Sequence, residues 1–587
     1  MRSHRPGRVA VSRRRSGEGT VVGPHESSVQ AGLRILELGG NAVDAAVAAA
    51  LVAGVVEPTE TTLAGCGFML YNDGGNGPIA ADFGPRAPLA ASTAMFRLTP
   101  DAESSAVLGL APVVDDENVN GPLAPGVPRT LLGLLTAHER WGRLDRRTVC
   151  RPAIEAAYNG FAADAWFLTS ALSDLDRLRR DEAAARTFLD DTGLPIGHRS
   201  SGSYGFSFDT RPRVVQSTLG RTLEEVAGSS LDTLTTGAVA QRLVATARDV
   251  GGLLSLEDLR AAAPEIGPAL TMRYRDVDVS VPPAPGGGIT ELEILAGWQS
   301  LNPEPSTSHE SGEQTRRLAL MMRHAFADRY HWLGDPAVVP VPTRELLSAR
   351  YARDLARLVE AGTDLPRWGD GAPWLTYASV AAHDPWAYSE TGAGAPEWSP
   401  KLASTPTGGT THISATDRDG GTVAITHTAA NHFGSGILCP RTGLLFDSAM
   451  AWFNAAAGAA NSVRPGARAL ANMGPALITR AGRPVAAVGA SGGRRIISAV
   501  AQLIINMVDG RLGPAEALAL PRLDASGQKI LVHEGRAEHL EALADLGATL
   551  VPSSNEPFTM DFARPNVAGH PAAGQSESAI PTSAYGD

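Results

Sequence analysis

Three cysteines in 587 residues (Cys66, Cys150, Cys439) are an odd number with no metal-ligand spacing. That excludes a disulfide framework and argues against a structural zinc. Long apolar runs are absent as well: none approaches the roughly 18 residues a membrane helix needs, and the mean hydropathy is -0.06. Positive charge is not in excess, with 51 Lys+Arg against 62 Asp+Glu and a net charge of -11. This is the wrong sign for a protein that grips a phosphate backbone, so no nucleic-acid partner is expected. The one basic concentration lies in the first fifteen residues (Arg2, Arg5, Arg8, Arg13, Arg14, Arg15). Ser-Gly-Glu-Gly-Thr follows it, where a secretory signal would carry an apolar stretch. Residues 1–20 therefore read as a basic flexible tail on a cytoplasmic protein. No internal repeat is found, and 43% hydrophobic residues exclude global disorder.

What is present divides into helical and strand-like regions. Ser27 or Ser28 can cap a helix with Val29, Leu33 and Leu36 on one face, closed by Gly39-Gly40. Asn41 can cap a second helix from Ala42 to about Val55, whose Ala/Val composition predicts burial on all sides. Leu63–Tyr71 reads as a glycine-permitted close approach leading into a buried strand. Residues 128–160, 230–262 and 316–333 read as helical, and Arg273–Val281 as a strand. Residues 361–409, with Trp368, Trp374, Trp386 and Trp398, read as a long connection. Beyond it come two hairpins, Thr411–Thr416 with Thr422–Thr428, then Ala476–Thr479 with Pro484–Gly489. Ser491-Gly-Gly493 opens a helix with Ile496, Val500, Leu503, Ile504 and Met507 on its apolar face. The last dozen residues are polar and read as loose.

Two short patterns could carry chemistry. In Thr407-Gly-Gly-Thr-Thr-His412, paired glycines free the backbone just before a hydroxyl residue that opens a strand. A hydroxyl held there can attack the preceding peptide carbonyl and leave Thr410 with a free α-amine. Such an amine ordinarily titrates at about 7.7–8.0, so it can act as base for its own hydroxyl. Alone, the hexapeptide is also ordinary turn chemistry. Gly489-Ala-Ser491-Gly-Gly493 fits the G-x-S-x-G elbow of α/β-hydrolases, but equally a helix start whose amides form an oxyanion site without serine chemistry. Gly286-Gly-Gly288 lacks the spacing of a dinucleotide loop. His412, His427 and His432 fit satisfied core or surface histidines better than metal ligands. No metal and no cofactor is expected.

Together the segments resemble the γ-glutamyltranspeptidase family of N-terminal-nucleophile hydrolases, over nearly the whole chain. The matching stretches include Gly39-Gly-Asn-Ala-Val-Asp-Ala-Ala-Val-Ala-Ala-Ala50, Val55-Val-Glu-Pro58, Gly67-Phe-Met-Leu70, Gly252-Leu-Leu-Ser-Leu-Glu-Asp-Leu259, Phe326-Ala-Asp-Arg329 and Leu333-Gly-Asp-Pro336. Gly409-Thr-Thr-His412, Phe433-Gly-Ser-Gly436 and Ser491-Gly-Gly493 complete the set. The resemblance implies an α+β fold, a four-layer αββα sandwich. It implies self-cleavage between Gly409 and Thr410 into a large chain (21–409) and a small chain (410–587). These stay together as a heterodimer, with further oligomerisation left open. It makes Thr410 the nucleophile, Thr428 the support of its amine, and Gly492 and Gly493 the oxyanion donors.

The departures from the family bear on the substrate. The family's arginine position is Gly84, with Arg86 two residues on; its ammonium readers are Ala449 and Trp452; its serine pair is Ala471 and Asn472. The asparagine expected two after Thr428 is Ala430, with Asn431 displaced by one and hence onto the other face if the strand continues. The segment Trp452–Leu470 is short, so a lid is expected to be missing. Arg494, Arg86, Asn431 and Asn472 are the replacement substrate contacts, an arginine fork suiting a carboxylate or oxalyl-like group. Conserved machinery with a lost glutamate reader is similar to the branch found in lincomycin and related alkylproline antibiotic pathways. That implies a small-molecule substrate, with a C–C or amide bond of a proline-derived intermediate hydrolysed. An ordinary γ-glutamyl hydrolase or transferase, and a self-cleaved but idle binding protein, remain the other readings.

Overall fold

The computed structural model describes residues 9–10, 19–99, 113–198, 212–362, 384–392, 394, 396, 409–527, 529–546, 548–554, 561–569 and 578–581. Helix formation begins where the composition leaves no alternative. Ala42–Val56 has no polar face, and all of it is buried. Its first turn is closed by a capping box in which Asn41 accepts from Asp44 N and Asp44 accepts from Asn41 N. The preceding helix, Glu26–Glu37, is capped by His25 Nδ1 accepting from Ser27 N, so Ser27 and Ser28 lie inside the helix and not at its cap.

Two antiparallel-paired sheets form the middle of the molecule. The first has six strands in the order Gly19–Val22, Thr410–Asp417, Thr422–Thr428, Cys66–Asn72, Ile79–Phe83, Glu265–Pro268. The second has seven, ordered Val9–Ala10, Ser578–Pro581, Arg564–Gly569, Arg483–Ser491, Ala476–Arg480, Val277–Val281, Leu270–Tyr274. Between them lies a thin layer of small and aliphatic side chains including Val22, Leu70, Ala424, Leu477, Ala487 and Ala568. A large apolar cluster joins Glu26–Glu37, Ala42–Val56, Thr130–Trp141 and Arg146–Asn159 to the six-stranded sheet. A second joins Gly288–Leu301, Gly312–Trp332, Ala349–Glu360 and Arg495–Val508 to the seven-stranded one. Helix, sheet, sheet, helix is the four-layer αββα order, and each layer has one apolar face to bury.

Both expected hairpins form as the alternation predicts, with Thr410 directly opposite Thr428. Elsewhere the structure differs from expectation at turns. Arg273–Val281 is not one strand but parts of two, Leu270–Tyr274 and Val277–Val281, reversed at Arg275 with φ +53°. The helix expected over 316–333 starts at Gly312, capped by Ser311. After Thr428 the strand stops: Ala430 has φ +69°, so the strand alternation that would have turned Asn431 to the other face does not apply. The basic tail is not free throughout, because Val9–Ala10 pairs with Ser578–Pro581 and Gly19 opens a strand against Asp417. The same pairing places part of the polar C-terminus at a sheet edge. Most of the long connection lies outside the described residues; within it, Pro385–Tyr388 forms one turn.

Candidate active site

The buried helix Ala42–Val56 delivers its C-terminal end beneath the start of the strand Thr410–Asp417. The segment after it is polar and yet buried: Glu57, Thr59, Glu60, Thr61 and Thr62 are each at most 3% exposed. Such groups must find partners, and several find them on or just after the two hairpin strands. Thr411 Oγ1 donates to Glu57 Oε2 (3.0 Å), Thr410 N donates to Glu60 Oε2 (3.0 Å), and Ala429 N donates to Glu60 O (3.2 Å). Thr61 Oγ1 lies 2.7 Å from His427 Nδ1. Gly409 is required here, since a Cβ on it would sit 2.2 Å from Thr59 O.

Around Thr410 the hydroxyls form a chain. Thr410 Oγ1 donates to Thr428 Oγ1 (3.3 Å), and Thr428 Oγ1 donates to Gly409 O (2.5 Å), the carbonyl of the bond preceding Thr410. Ala430 N donates to Thr428 Oγ1 (2.8 Å), holding that hydroxyl in place. Thr428 thus touches the carbonyl of the Gly409–Thr410 bond, and the two threonine hydroxyls and that carbonyl form one hydrogen-bonded set.

The sequence reading missed the carboxylates and their clamp. Glu60 is fully buried and tied by Arg564 Nη2 to Oε2 (2.7 Å) and by Trp166 Nε1 to Oε1 (2.7 Å). Arg564 stacks over the Trp166 ring at 4.8 Å. Desolvation, followed by the charge of Glu60, pushes Glu57 up to about 8, with Arg564 and the Thr411 hydroxyl opposing. The signal was adjacent to a recognisable motif, since Val55-Val-Glu-Pro58 ends two residues before Glu60. Arg564, 154 residues beyond Thr410 in sequence numbering, carried no local signal.

Gly492 and Gly493 stand at the same end of the sandwich. Ser491 pairs with Arg564 across the seven-stranded sheet, and Arg564 reaches Glu60. Both glycines have positive φ, +133° and +61°, which an L side chain would resist. Arg483–Ser491 is antiparallel to both neighbours, not the parallel sheet on which an α/β-hydrolase elbow stands. The helix begins only at Arg495. Arg494 is part-buried, donating from Nε to Ser526 Oγ (2.8 Å), with Asp524 and Tyr330 beside it.

Of the other expected substrate contacts, Arg86 and Asn472 have side-chain partners within the fold. Arg86 pairs with Glu265 and donates to Ala261 O. That carboxylate is shared with the fully buried Arg129, so the Arg86 guanidinium belongs to a part-exposed ion cluster. Asn472 Oδ1 accepts from Arg329 (3.2 Å), which also bonds Ala471 O. Asn431 O accepts from Gly434 N in the turn after the strand. Ala449 and Trp452 lie on one buried helical turn. Beside it Asp447 Oδ1 accepts from Gly126 N and Ala449 N, and desolvation pushes this carboxyl to about 7. His412 and His427 are core residues held near 3 by desolvation, His412 between Thr426 and Ser414. Among the described residues, no group of three or more His, Cys, Asp or Glu is arranged to hold a metal, and no helix is long and apolar enough to cross a membrane.

The αββα layering with a threonine at the head of an inner strand is that of the N-terminal-nucleophile hydrolases. The γ-glutamyltranspeptidase family profile matches residues 28–561, and the chain belongs to that family. The glutathione hydrolase proenzyme of Escherichia coli (strain K12) is 30% identical over 525 residues, covering 86% of this chain and 81% of its own. The cephalosporin acylase of Bacillus halodurans shares the fold with a TM-score of 0.76 at 22% identity, over 99% of this chain and 95% of its own. A LmbA structure does so with a TM-score of 0.74 at 23% identity, over 99% and 98%.

Proposed function

We propose that this chain is a self-cleaving N-terminal-threonine hydrolase whose substrate is not a γ-glutamyl compound. The hydroxyl chain from Thr410 through Thr428 to the Gly409 carbonyl carries the reading. Thr410 Oγ1 attacks the Gly409 carbonyl carbon while Thr428 donates to the oxygen that gains charge, and the Gly409–Thr410 bond breaks. Water then hydrolyses the resulting ester. Residues 21–409 and 410–587 become the large and small chains, and the relatives that are named proenzymes support such processing.

In turnover the freed α-amine of Thr410 takes the proton from its own hydroxyl, supported by Thr428, and the amides of Gly492 and Gly493 receive the oxyanion. No step calls for a cofactor. Ala449 and Trp452 offer no side-chain acceptor for an ammonium, and Ala471 no donor for a carboxylate. The substrate therefore lacks the glutamyl α-carbon groups. Arg494, part-buried beside the oxyanion glycines and bonded to Ser526, suits a carboxylate or oxalyl-like group. A carbonyl-adjacent C–C or amide bond of a proline-derived intermediate in a lincomycin-type pathway fits these demands, and the likeness to a LmbA fold supports it.

The test is denaturing electrophoresis with N-terminal sequencing. A small chain beginning Thr-Thr-His-Ile is expected, absent in Thr410→Ala, whereas an active single chain would overturn the mechanism. The similarity to glutathione hydrolase proenzymes favours a second reading, an ordinary γ-glutamyl hydrolase or transferase. Turnover of a γ-glutamyl anilide at a transpeptidase-like rate would establish it.

A further inference from the structure

We propose that Glu60, clamped by Arg564 and Trp166, receives the Thr410 nitrogen as it leaves the Gly409 carbonyl and then holds the free α-amine beside its own hydroxyl. The inference rests on Thr410 being the nucleophile. Its starting point is that Glu60 Oε2 lies 3.0 Å from the nitrogen of the scissile bond itself, while the other partners of this carboxylate come from distant chain segments. In the precursor that nitrogen is an amide, whose N–H makes a neutral-donor bond. During cleavage the Oγ1–C bond forms, the C–N bond breaks, and the hydroxyl proton is transferred to the departing nitrogen. In the tetrahedral intermediate the nitrogen that has taken the proton is cationic, and a cationic N–H donor bonds a carboxylate more strongly than a neutral amide N–H does. The contact therefore strengthens along the reaction, which is the condition for accelerating it.

A bare carboxylate would afterwards harm turnover, because it favours the protonated amine that cannot act as base. Arg564 meets this problem: its Nη2 is 2.7 Å from the same Oε2. Around the pair lie Glu57, His432 (Nε2 3.9 Å from Glu60 Oε1), Asp174 beside His432, and Arg177 on Asp174. Asp164 contributes from the start of the helix that carries Trp166. Glu60 is thus charge-balanced but still aimed. It serves as an acceptor for the amine without fixing it as ammonium.

Full-length Glu60→Gln, Arg564→Met and Arg564→Lys test this. Cell-free synthesis followed by timed denaturing electrophoresis reads self-cleavage. The pH dependence of acylation of matured protein by p-nitrophenyl acetate, blanked with Thr410→Ala, reads the amine. Glu60→Gln should slow self-cleavage at least about tenfold, given the loss of one charge-assisted bond, with melting in the Thr410→Ala background lowered but still cooperative, because the substitution leaves Arg564 without its carboxylate. Arg564→Met should move the acidic limb of acylation up by about one pH unit, and Arg564→Lys should restore it. Cleavage of Glu60→Gln at the wild-type rate overturns the inference and leaves Thr410 as nucleophile. If Glu60→Gln does not fold, the arginine pair decides: coincident limbs for Met and Lys overturn it. Wild-type chain that never cuts overturns the underlying reading instead.

Discussion

Replacing Thr428 by valine isolates one hydroxyl in a nearly unchanged shape. In the uncut chain that hydroxyl donates to Gly409 O at 2.5 Å and accepts from Thr410 Oγ1 at 3.3 Å. Among the described residues it is the one side-chain donor found on the oxygen that becomes negative when Thr410 attacks. Removing a donor of this kind elsewhere costs about 2.7–4 kcal/mol of transition-state stabilisation, or roughly 10²–10³ in rate. Losing the acceptor for Ala430 N costs a further ~1–3 kcal/mol in fold stability, too little to unfold a chain of this size. Thr428→Val should therefore fold, melt slightly lower, and remain largely uncut over many wild-type half-times. Thr428→Ser keeps the donor and should mature within several-fold of wild type. The assay is electrophoresis of timed samples, with Thr410→Ala as the uncut standard. Wild-type maturation of the valine variant would refute the claim that Thr428 polarises the scissile carbonyl.

Other expectations follow from the same geometry. Gly409→Ala should block maturation and destabilise the precursor, because its Cβ would lie 2.2 Å from the Thr59 carbonyl oxygen; normal processing would contradict this. Ser491→Ala should keep most activity, since only its backbone neighbours are used, and loss of activity would return attention to the serine. His412 and His427 have folded-state values near 3 against 6.5 when exposed. Their stabilisation is thus full above about 6.5 and lost as pH falls towards 3. Glu57, pushed to about 8, runs the other way, its contribution fading as pH rises from the ordinary carboxylate range through 8. Melting of uncut Thr410→Ala across pH should fall steeply on the acid side and gently on the alkaline side. A γ-glutamyl anilide should be turned over far more slowly than by ordinary transpeptidases, since each unmet polar group costs about 1–3 kcal/mol.

Periodicity carried the elements, and chain order carried the family. The Ala/Val helix after Asn41 and the hairpin that sets Thr410 against Thr428 were both legible, because each rests on local alternation or a local cap. Turn chemistry hid the rest: nothing in Arg273–Val281 announces the positive φ at Arg275 that splits it. Within the site, the pairing of Thr410 with Thr428 was readable from their one hairpin, while the roles expected of them came from the resemblance to the family. Glu60 and Arg564 were not, since a buried ion pair between residues 504 apart in number has no signature in composition or spacing. Arg86 shows the converse failure. A free arginine near a motif reads as a ligand for substrate, and only the fold reveals that Glu265 and Ala261 already occupy it.

The topology explains why a cut beside Thr410 need not separate the protein. The new terminus would head a strand flanked by Gly19–Val22 on one side and Thr422–Thr428 on the other. The next two strands of that sheet, Cys66–Asn72 and Ile79–Phe83, come from before the cut, as do Leu270–Tyr274 and Val277–Val281 in the second sheet. Ladder hydrogen bonds therefore cross the boundary in both sheets. Arg468 adds a buried tie across it, bonding Asp82 at 2.6 Å and Asp335 at 2.7 Å. Breaking such a pair by removing one partner strands a buried charge, at about 3–5 kcal/mol. Separation would require unpairing both sheets, so the two pieces share one core and hold Glu60, from the first, against Thr410, from the second. Such a cleavage would convert one amide into an amine on Thr410 and a carboxylate on Gly409, inside a scaffold already assembled around them.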